Sequence, residues 1–320
     1  MVVQDKSVAL VFPGQGAQYV GMGKEFYDSD ESLRVLYGKA SDILGFDLAQ
    51  TIFAGTEDGL KQTQVTQPAV FMTSLAIMEA LKKALPSWEK KVLCTAGHSL
   101  GEYSALVTSG VLAFEEGMKL VSKRGEFIGK ASQLNPGTMA AVLGMGKDAI
   151  SALCEEITSS GSIVEPVNFN TAEQIVVAGT VDGMELFEKL APGKGAKRVI
   201  RLAVSGPFHS SLMTPAAELL DKVVIKAVVN DAVLPVVTNC DAVMTTAKEE
   251  FRTKMVRQVN HPVFWENSVK TMISAGVRVF IEIGPGKIIG GLIKKISREI
   301  IVLNAENTVT LKNVVEQLSI

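Results

Sequence analysis

The most constraining feature of the sequence is a tight glycine–serine–glycine turn, Gly97-His98-Ser99-Leu100-Gly101. The short apolar run at 92–95 before it predicts a buried strand, and the residues after it predict a helix that ends near Gly110. In this context, G-x-S-x-G is typical of a strained strand-to-helix turn that exposes a serine hydroxyl. Small residues beside the serine let strand and helix approach closely. The turn therefore indicates an α/β fold.

The rest of the chain repeats this alternation of short apolar runs and amphipathic stretches. Further strands are predicted at 8–12, 235–238, 277–283 and 300–304, and helices at 68–85, 114–133, 249–259, 267–275 and 287–296. The helix at 68–85 is predicted to carry Pro68 in its first turn, where a missing N–H is harmless. Such alternation predicts a mostly parallel sheet that helices cover on both faces.

The segment between 135 and 204 has a different order. It predicts a strand at 139–143, a helix at 147–158, a hairpin of 163–168 with 174–178, a helix at 181–190 and a strand at 198–204. The order βαββαβ is the ferredoxin-like pattern. Glycine–proline turns flank the segment on both sides. We therefore predict a large α/β domain of residues 1–134 and 205–320, with a small ferredoxin-like subdomain of residues 135–204 inserted into it.

Charge and cysteine content exclude several classes of protein. The 32 basic and 34 acidic residues leave a net charge of -2, so neither a nucleic acid nor an anionic membrane is expected as partner. No apolar run is long enough to cross a bilayer. Cys94, Cys154 and Cys240 are far apart and form no CxxC, which argues against disulfides and zinc. We expect reduced thiols and a cytoplasmic setting, or an organelle stroma if a transit peptide has been removed.

A serine nucleophile needs a base, and the sequence has three histidines. His209 lies in a predicted loop between a strand and a helix, which favours it because a rigid scaffold can position a loop residue. His261, in Asn260-His261-Pro262, is the alternative. His98 should diverge from Ser99 on a sharp turn. Each histidine could also be a purely structural residue.

Arg124 falls in the middle of the apolar side of its predicted helix, with Leu120, Val121, Phe127 and Ile128. A guanidinium in that position needs an anionic partner, because unpaired burial is costly. The partner is either an Asp or Glu in a structural ion pair or the carboxylate of a substrate, which the planar bidentate fork of arginine suits.

The loop Gly14-Gln15-Gly16 ends the first predicted strand. Loops at the carboxyl ends of strands line the active sites of α/β sheets, so Gln15 could supply a donor to an oxyanion. The loop is neither a G-x-G-x-x-G fingerprint nor a phosphate-binding P-loop, so nucleotide binding is not indicated.

Together these motifs resemble the malonyl-CoA:acyl-carrier-protein transacylases and the acyltransferase domains of fatty-acid and polyketide synthases. The similarity covers nearly the whole chain. The motifs are Phe12-Pro13-Gly14-Gln15-Gly16-Ala17-Gln18, Gly97-His98-Ser99-Leu100-Gly101-Glu102, Lys123-Arg124-Gly125, Val167-Asn168-Phe169-Asn170, Phe208-His209, Arg257-Gln258 and Glu282-Ile283-Gly284-Pro285-Gly286. The chain contains a single catalytic unit, so it resembles the free-standing enzymes more than a synthase domain. The resemblance implies an α/β-hydrolase-like core with the inserted ferredoxin-like subdomain.

The resemblance also implies a role for each site residue. Ser99 would be the acylated nucleophile and His209 its general base. The N–H groups of Gln15 and Leu100 would form the oxyanion hole, and Arg124 would bind the malonyl carboxylate.

Two further roles follow from the resemblance. The main-chain carbonyl of Gln258 would orient His209 in place of a catalytic aspartate, and Phe208 would crowd a methyl branch, favouring malonyl over methylmalonyl. A pocket discriminates a single methyl by only about 1–3 kcal/mol.

The implied reaction is ping-pong transfer of malonyl from malonyl-CoA to the phosphopantetheine thiol of acyl carrier protein, without metal or other cofactor. A monomer is expected. A serine hydrolase or thioesterase, a polyketide-pathway acyltransferase and a non-catalytic carrier-binding scaffold are the alternatives. Acidic carrier protein would dock on basic residues, for which there are two candidate clusters: Lys194, Lys197 and Arg198, or Lys287, Lys294, Lys295 and Arg298.

Overall fold

The structure, a computed structural model, describes residues 6–319 and is built on two β-sheets. The strands are β1 (Val8–Phe12), β2 (Val92–Gly97), β3 (Gly137–Leu143), β4 (Val164–Thr171), β5 (Gln174–Thr180), β6 (Arg198–Arg201), β7 (Val236–Val237), β8 (Met244–Thr245), β9 (Val279–Ile283) and β10 (Ile301–Ala305). The larger sheet has the order β10-β9-β1-β2-β7-β8 and is parallel except for the edge strand β8.

Strand β1 lies at the centre of the larger sheet, and its side chains alternate between two hydrophobic clusters. Val8, Leu10 and Phe12 belong to one cluster, and Ala9 and Val11 to the other. All five are fully buried, since successive side chains of a strand point to opposite faces and helices cover both faces here. This is why the strand appears in the sequence as an uninterrupted apolar run.

Helices cover this sheet and one face of the smaller one. They are α1 (Lys24–Ser29), α2 (Glu31–Leu44), α3 (Leu48–Ala54), α4 (Glu57–Leu60), α5 (Thr63–Ala84), α6 (Trp88–Lys91), α7 (Gly101–Thr108), α8 (Phe114–Leu134), α9 (Lys147–Ser159), α10 (Val181–Leu190), α11 (Thr214–Val224), α12 (Lys248–Asn260), α13 (Trp265–Ser274), α14 (Ile288–Ile296) and α15 (Thr308–Leu318). Within residues 6–319, none of these helices is both long and apolar enough to span a membrane.

The smaller sheet is antiparallel and has the order β4-β5-β3-β6. With α9 and α10 it forms a βαββαβ unit with its own hydrophobic cluster, as the sequence predicts. A main-chain pair ties it to the rest of the molecule: Phe169 donates to the carbonyl of Val263 at 2.9 Å, and Val263 donates to that of Val167 at 2.8 Å. The exact domain boundaries stay a prediction.

Several predicted elements need correction. Pro68 was expected in the first turn of its helix, but α5 begins at Thr63 and Pro68 lies inside it. In the turn before Pro68, Thr63, Thr66 and Gln67 are buried, and the hydroxyl of Thr66 donates to the carbonyl of Leu60 at 2.6 Å, so these contacts outweigh the lost hydrogen bond. The strand predicted at 198–204 ends at Arg201. Helices α1 to α4, α6, α11 and α15 and strand β8 were not predicted.

Candidate active site

Strand β2 and helix α7 meet at Ser99 in a turn that only glycine permits on either side. A Cβ on Gly97 would lie 1.9 Å from the carbonyl carbon of Gly101, and a Cβ on Gly101 would lie 2.2 Å from the carbonyl oxygen of Phe12. Ser99 itself has a φ of 52°, a left-handed conformation that costs an L-residue about 1–2 kcal/mol. The close packing on both sides holds the serine in this conformation.

A histidine lies within hydrogen-bonding distance of the serine hydroxyl. The Oγ of Ser99 is 2.7 Å from Nε2 of His209, and Nδ1 of His209 is 2.8 Å from the main-chain carbonyl of Gln258. A carbonyl oxygen only accepts, so Nδ1 carries the proton and Nε2 presents its lone pair to the serine hydroxyl. His209 can therefore remove the proton of Ser99.

The surroundings of His209 keep its imidazole neutral. Burial, followed by the positive charge of Arg124, lowers the pKa of His209 to about 3, although its bond to Gln258 acts in the opposite direction. His209 also has a left-handed backbone, with a φ of 63°. Two non-glycine residues in this conformation that share a hydrogen bond are typical of a functional site.

Arg124 extends from α8 into the same site. Its guanidinium donates to Oε1 of Gln67 at 2.8 Å, to Oε1 of Gln258 at 3.0 Å and to Oγ of Ser99 at 3.1 Å. Its face lies 5.7 Å from the ring centroid of Tyr103. Within residues 6–319 no carboxylate bonds it directly, although the side chain is only 2% exposed, and the charge of the buried Glu102 acts on it without contact. The structural ion pair that the sequence left open is therefore not found in the described chain.

Two main-chain N–H groups are placed to receive an oxyanion. Leu100 follows the serine at the start of α7, and Gln15 lies in the loop after β1. In the described part of the chain, neither N–H donates to another group. Gly14 lets this loop approach the elbow, since a Cβ there would lie 2.4 Å from the carbonyl oxygen of His98. Both donors are thus free beside Ser99, as an oxyanion hole requires.

Ser99, His209, Arg124, Gln15 and Leu100 line a cavity of about 100 Å³. Apolar side chains from α8, α12, strand β3 and the segment after β6 form much of the remaining wall: Ile128, Met139, Leu202, Val204, Phe208 and Val259. A second cavity of about 180 Å³ shares Gln15, His98, Asn168 and Leu202 with the first and extends to Ile288 on α14. An acyl group and a longer arm can therefore be accommodated next to Ser99.

Comparisons with known proteins agree with this geometry. The model of the family described as "Acyl transferase domain" matches residues 9–309. The chain belongs to the acyl transferase family. It is 42% identical over 313 residues to the malonyl CoA-acyl carrier protein transacylase of Bacillus subtilis (strain 168), covering 97% of each chain. It is 44% identical to that of Staphylococcus aureus (strain MRSA252), covering 91% of this chain and 93% of the relative.

Solved structures of acyl transferases have the same fold. The MCAT of Streptococcus pneumoniae is 40% identical with a TM-score of 0.90, covering 97% of this chain and 100% of that one. A malonyl-transacylase in complex with its type II PKS acyl-carrier protein is 36% identical with a TM-score of 0.92, covering 97% and 99%. The predicted α/β architecture with a mostly parallel sheet and a second, smaller unit is confirmed.

In this acyl transferase, the predicted site residues lie around one cavity. Ser99, His209, Arg124 and Phe208 line it with Gln15 and Leu100. Gln258 does not line the cavity, but it accepts hydrogen bonds from Arg124 and His209. The other two histidines are not bonded to the serine hydroxyl: Nε2 of His98 lies 2.8 Å from Oδ1 of Asn170, and Nδ1 of His261 lies 2.8 Å from Oδ1 of Asn260.

Sequence reasoning assigned no role to three polar residues of this acyl transferase site, although Glu102 ends one of the motifs it used. Gln67 bonds Arg124, and Glu102 and Asn239 lie behind the elbow, where Asn239 accepts from the N–H of Ser99 at 2.7 Å. Asn239 lies two residues after the end of β7, the strand that pairs with β2. The rule that site residues follow the carboxyl ends of parallel strands could have found it. Gln67 has no comparable signal, since it lies inside a buried helix.

Proposed function

We propose that the protein transfers a malonyl group from malonyl-CoA to the phosphopantetheine thiol of acyl carrier protein, for fatty-acid biosynthesis, through a malonyl ester on Ser99. The observation that carries this proposal is Arg124, a buried guanidinium that no carboxylate of residues 6–319 bonds directly and that lies 3.1 Å from the nucleophile. A free carboxylate on the acyl group would supply the missing anion. The names of the relatives support the same reaction.

In the first half-reaction, Nε2 of His209 takes the proton of Ser99 as Oγ attacks the thioester carbonyl. The N–H groups of Gln15 and Leu100 bind the resulting oxyanion. The C–S bond then breaks, and the CoA sulfur leaves with the proton that His209 holds. Gln258 keeps the imidazole oriented through its carbonyl throughout, in the position where a triad carboxylate would lie.

The substrate carboxylate also changes the pKa of the general base, His209. In the free enzyme the charge of Arg124 helps to lower the pKa of His209. When malonyl binds, its carboxylate compensates this charge and raises the pKa of His209 towards its usual range. The base is thus strengthened when the substrate is in place.

In the second half-reaction the carrier's thiol takes the position of CoA. His209 removes its proton, the thiolate attacks the malonyl ester, and Ser99 recovers the proton as its C–O bond breaks. The proposed cycle uses side chains and main-chain groups of this chain, and we propose that it needs no metal or other cofactor. Phe208 lines the acyl cavity, and we propose that its ring disfavours a methyl branch on the malonyl group.

We propose that the carrier docks near α14. The second cavity ends at Ile288, and the exposed cluster of Lys287, Lys294, Lys295 and Arg298 lies on or beside this helix. Attraction between this cluster and an acidic carrier would bring the phosphopantetheine arm to the cavity mouth. The cluster of Lys194, Lys197 and Arg198 is exposed as well, but Lys194 pairs with Glu156 at 2.7 Å.

We further propose a cytoplasmic monomer. One chain supplies the nucleophile, the base, the guanidinium and both oxyanion donors, so a second copy is not needed to complete the site. The three cysteines are free and buried, which suits a reducing compartment. Size-exclusion chromatography with light scattering tests the monomer, and fractionation of the producing cell tests the location.

The test of the function is intact-protein mass spectrometry after brief mixing with malonyl-CoA or acetyl-CoA. We expect a malonyl adduct on Ser99 that disappears when carrier protein is added, and little acetyl adduct. Release of free malonate without transfer would instead establish a hydrolase or thioesterase. Equal labelling by acetyl-CoA would contradict the role of Arg124.

A polyketide pathway is the second candidate, because one similar structure is a malonyl-transacylase bound to a type II PKS carrier. Rates of transfer to a fatty-acid carrier and to a polyketide carrier separate the two. We expect the higher kcat/KM with the fatty-acid carrier, and the reverse order would assign the polyketide pathway.

A further inference from the structure

Asn239 makes an unusual set of contacts behind the catalytic turn. It is fully buried, and its side-chain amide spans the turn on both sides of His98. Oδ1 accepts from the N–H of Ser99 at 2.7 Å, while Nδ2 donates to the carbonyl of Gly97, also at 2.7 Å. The reverse orientation of the amide would face N–H to N–H and oxygen to oxygen, so the two contacts define its orientation.

Asn239 is itself held by its main chain. Its N–H donates to Oε2 of Glu102 at 2.6 Å, and its carbonyl accepts from the N–H of Phe264 at 2.9 Å. Glu102 lies in the first turn of α7, the helix that the turn starts. Strand β2, the catalytic turn, α7 and the segment after β7 are therefore connected through one residue.

We propose that Asn239 is a positioning residue for the reaction: its amide holds Ser99 in the left-handed conformation that aims Oγ at His209. The inference rests on the proposed function, since it concerns the acylation of Ser99 by malonyl-CoA. A tilt of the turn would move Oγ relative to both Nε2 of His209 and the oxyanion donors. Misplacement of about 1 Å can cost about 100-fold in rate.

The same contact determines which N–H groups can serve the oxyanion. Asn239 occupies the N–H of Ser99, so this group cannot turn towards a bound thioester. Among residues 6–319, the N–H groups of Leu100 and Gln15 donate to no other group. Asn239 thus acts on catalysis without contacting the substrate.

Asn239→Ala removes both side-chain contacts and provides the first test. We expect the rate constant for malonyl-Ser99 formation, measured by rapid quench and mass spectrometry, to fall about 100-fold. The Kd for malonyl-CoA, measured by calorimetry with Ser99→Ala present in both proteins, should stay within about threefold, because the cavity wall is unchanged. Asn304→Ala is the control, since Asn304 also donates to a main-chain carbonyl, that of Gly286, but outside the turn.

An acylation rate close to wild type would overturn the proposal, and so would a loss of malonyl-CoA affinity as large as the loss of rate. Failure of the wild-type protein to form malonyl-Ser99 would instead remove the proposed function.

Asn239→Asp provides a second test that does not depend on how the alanine variant folds. The aspartate side chain has the same shape as asparagine and keeps an oxygen that accepts from the N–H of Ser99. When it is ionised, however, its second oxygen faces the carbonyl oxygen of Gly97 and repels it. A protonated carboxyl can donate to that carbonyl. We therefore expect the acylation rate of this variant, divided by that of the wild type at the same pH, to be higher at about pH 5 than at about pH 8. A ratio that does not rise on acidification would overturn the proposal.

Discussion

At the scale of single residues, the site depends on burial more than on the number of charges. His209, Arg124 and Gln258 are each 5% exposed or less, and each bonds to a neighbour whose position another element determines. Burial strengthens the contacts and keeps the imidazole neutral. Ser99 is poised by the geometry of these neighbours, without a carboxylate bonded to the base.

The lowered pKa of His209 predicts an unusual pH profile. The pH dependence of kcat/KM reports the base of the free enzyme, so we expect a constant value for malonyl-CoA from about pH 8 down to about pH 5. A decline centred near the ordinary histidine value of about 6.5 would show that His209 is not buried as described.

The control for this experiment is stability. The folded-state pKa of His209 lies below its unfolded value, so the unfolded state binds more protons as the pH falls below about 6.5. The contribution of His209 to the free energy of unfolding is therefore lost as the pH falls towards the folded-state pKa of about 3. Samples are therefore returned to about pH 7.5 after acid exposure, and only reversible changes in rate are assigned to the base.

Arg124→Ala should separate recognition of the carboxylate from the chemistry of acylation. Loss of a charged hydrogen-bonding group costs about 1.5–3 kcal/mol, so kcat/KM for malonyl-CoA should fall about 10- to 150-fold. Acetyl-CoA has no free carboxylate, so kcat/KM for acetyl-CoA should fall much less than kcat/KM for malonyl-CoA. An equal loss for both thioesters would place Arg124 in a general structural role.

At the scale of elements, glycines permit the close contacts on which the site depends. Sequence patterning predicts the elbow because Gly97 and Gly101 leave no room for a side chain on either side of Ser99. Patterning places the start of α5 incorrectly because a buried helix can tolerate a proline inside it. Sequence rules for local structure are thus reliable where main-chain sterics dominate. They fail where tertiary packing compensates the cost of an unfavourable residue.

Helix α14 offers a matched pair of glycines for testing this argument. A Cβ on Gly290 would lie 2.9 Å from Cγ1 of Val302 and 3.1 Å from Oε2 of Glu282, whereas a Cβ on Gly291 would meet nothing within 4 Å. We expect Gly291→Ala to raise the free energy of unfolding by about 0.5–1 kcal/mol, because alanine favours helix. Gly290→Ala should lower it by about 1–3 kcal/mol. Urea denaturation measures both, and shifts of the same sign would contradict the packing described.

At the scale of the whole molecule, the catalytic cavity lies where the two sheets meet. Met139 of β3 forms one wall, while the turn after β2 supplies the nucleophile. The pair between Phe169 and Val263 ties the smaller sheet to the larger unit beside this cavity. The arrangement explains how a sheet without catalytic side chains can still shape the acyl pocket.

The proposed domain division can be tested by native-state hydrogen exchange. Residues 135–204 contain their own hydrophobic cluster, so we expect their amides to open as one cooperative unit with a free energy different from that of the larger domain. Exchange of both regions with a single opening free energy would show one cooperative domain instead.

Charge reversal tests the proposed docking surface. Lys294→Glu with Lys295→Glu should lower kcat/KM for carrier protein about tenfold, mainly at low salt, because rim charges steer association. Acylation by malonyl-CoA should not change. Lys226→Glu, an exposed lysine outside the cluster, is the control. Unchanged transfer in the double variant would exclude this surface as the docking site.

The amino-acid sequence by itself determined the strand-to-helix turn at Ser99, the α/β alternation, the inserted βαββαβ unit and the apolar side of α8 that carries Arg124. These features depend on local sterics and on periodicity, which neighbouring residues encode. Only the tertiary structure decided that His209 reaches Ser99, that no carboxylate of the described residues bonds Arg124, and that Gln67 and Asn239 bond the site residues. Those contacts join residues more than 50 positions apart in the chain, and side-chain packing, which no local pattern records, brings them together.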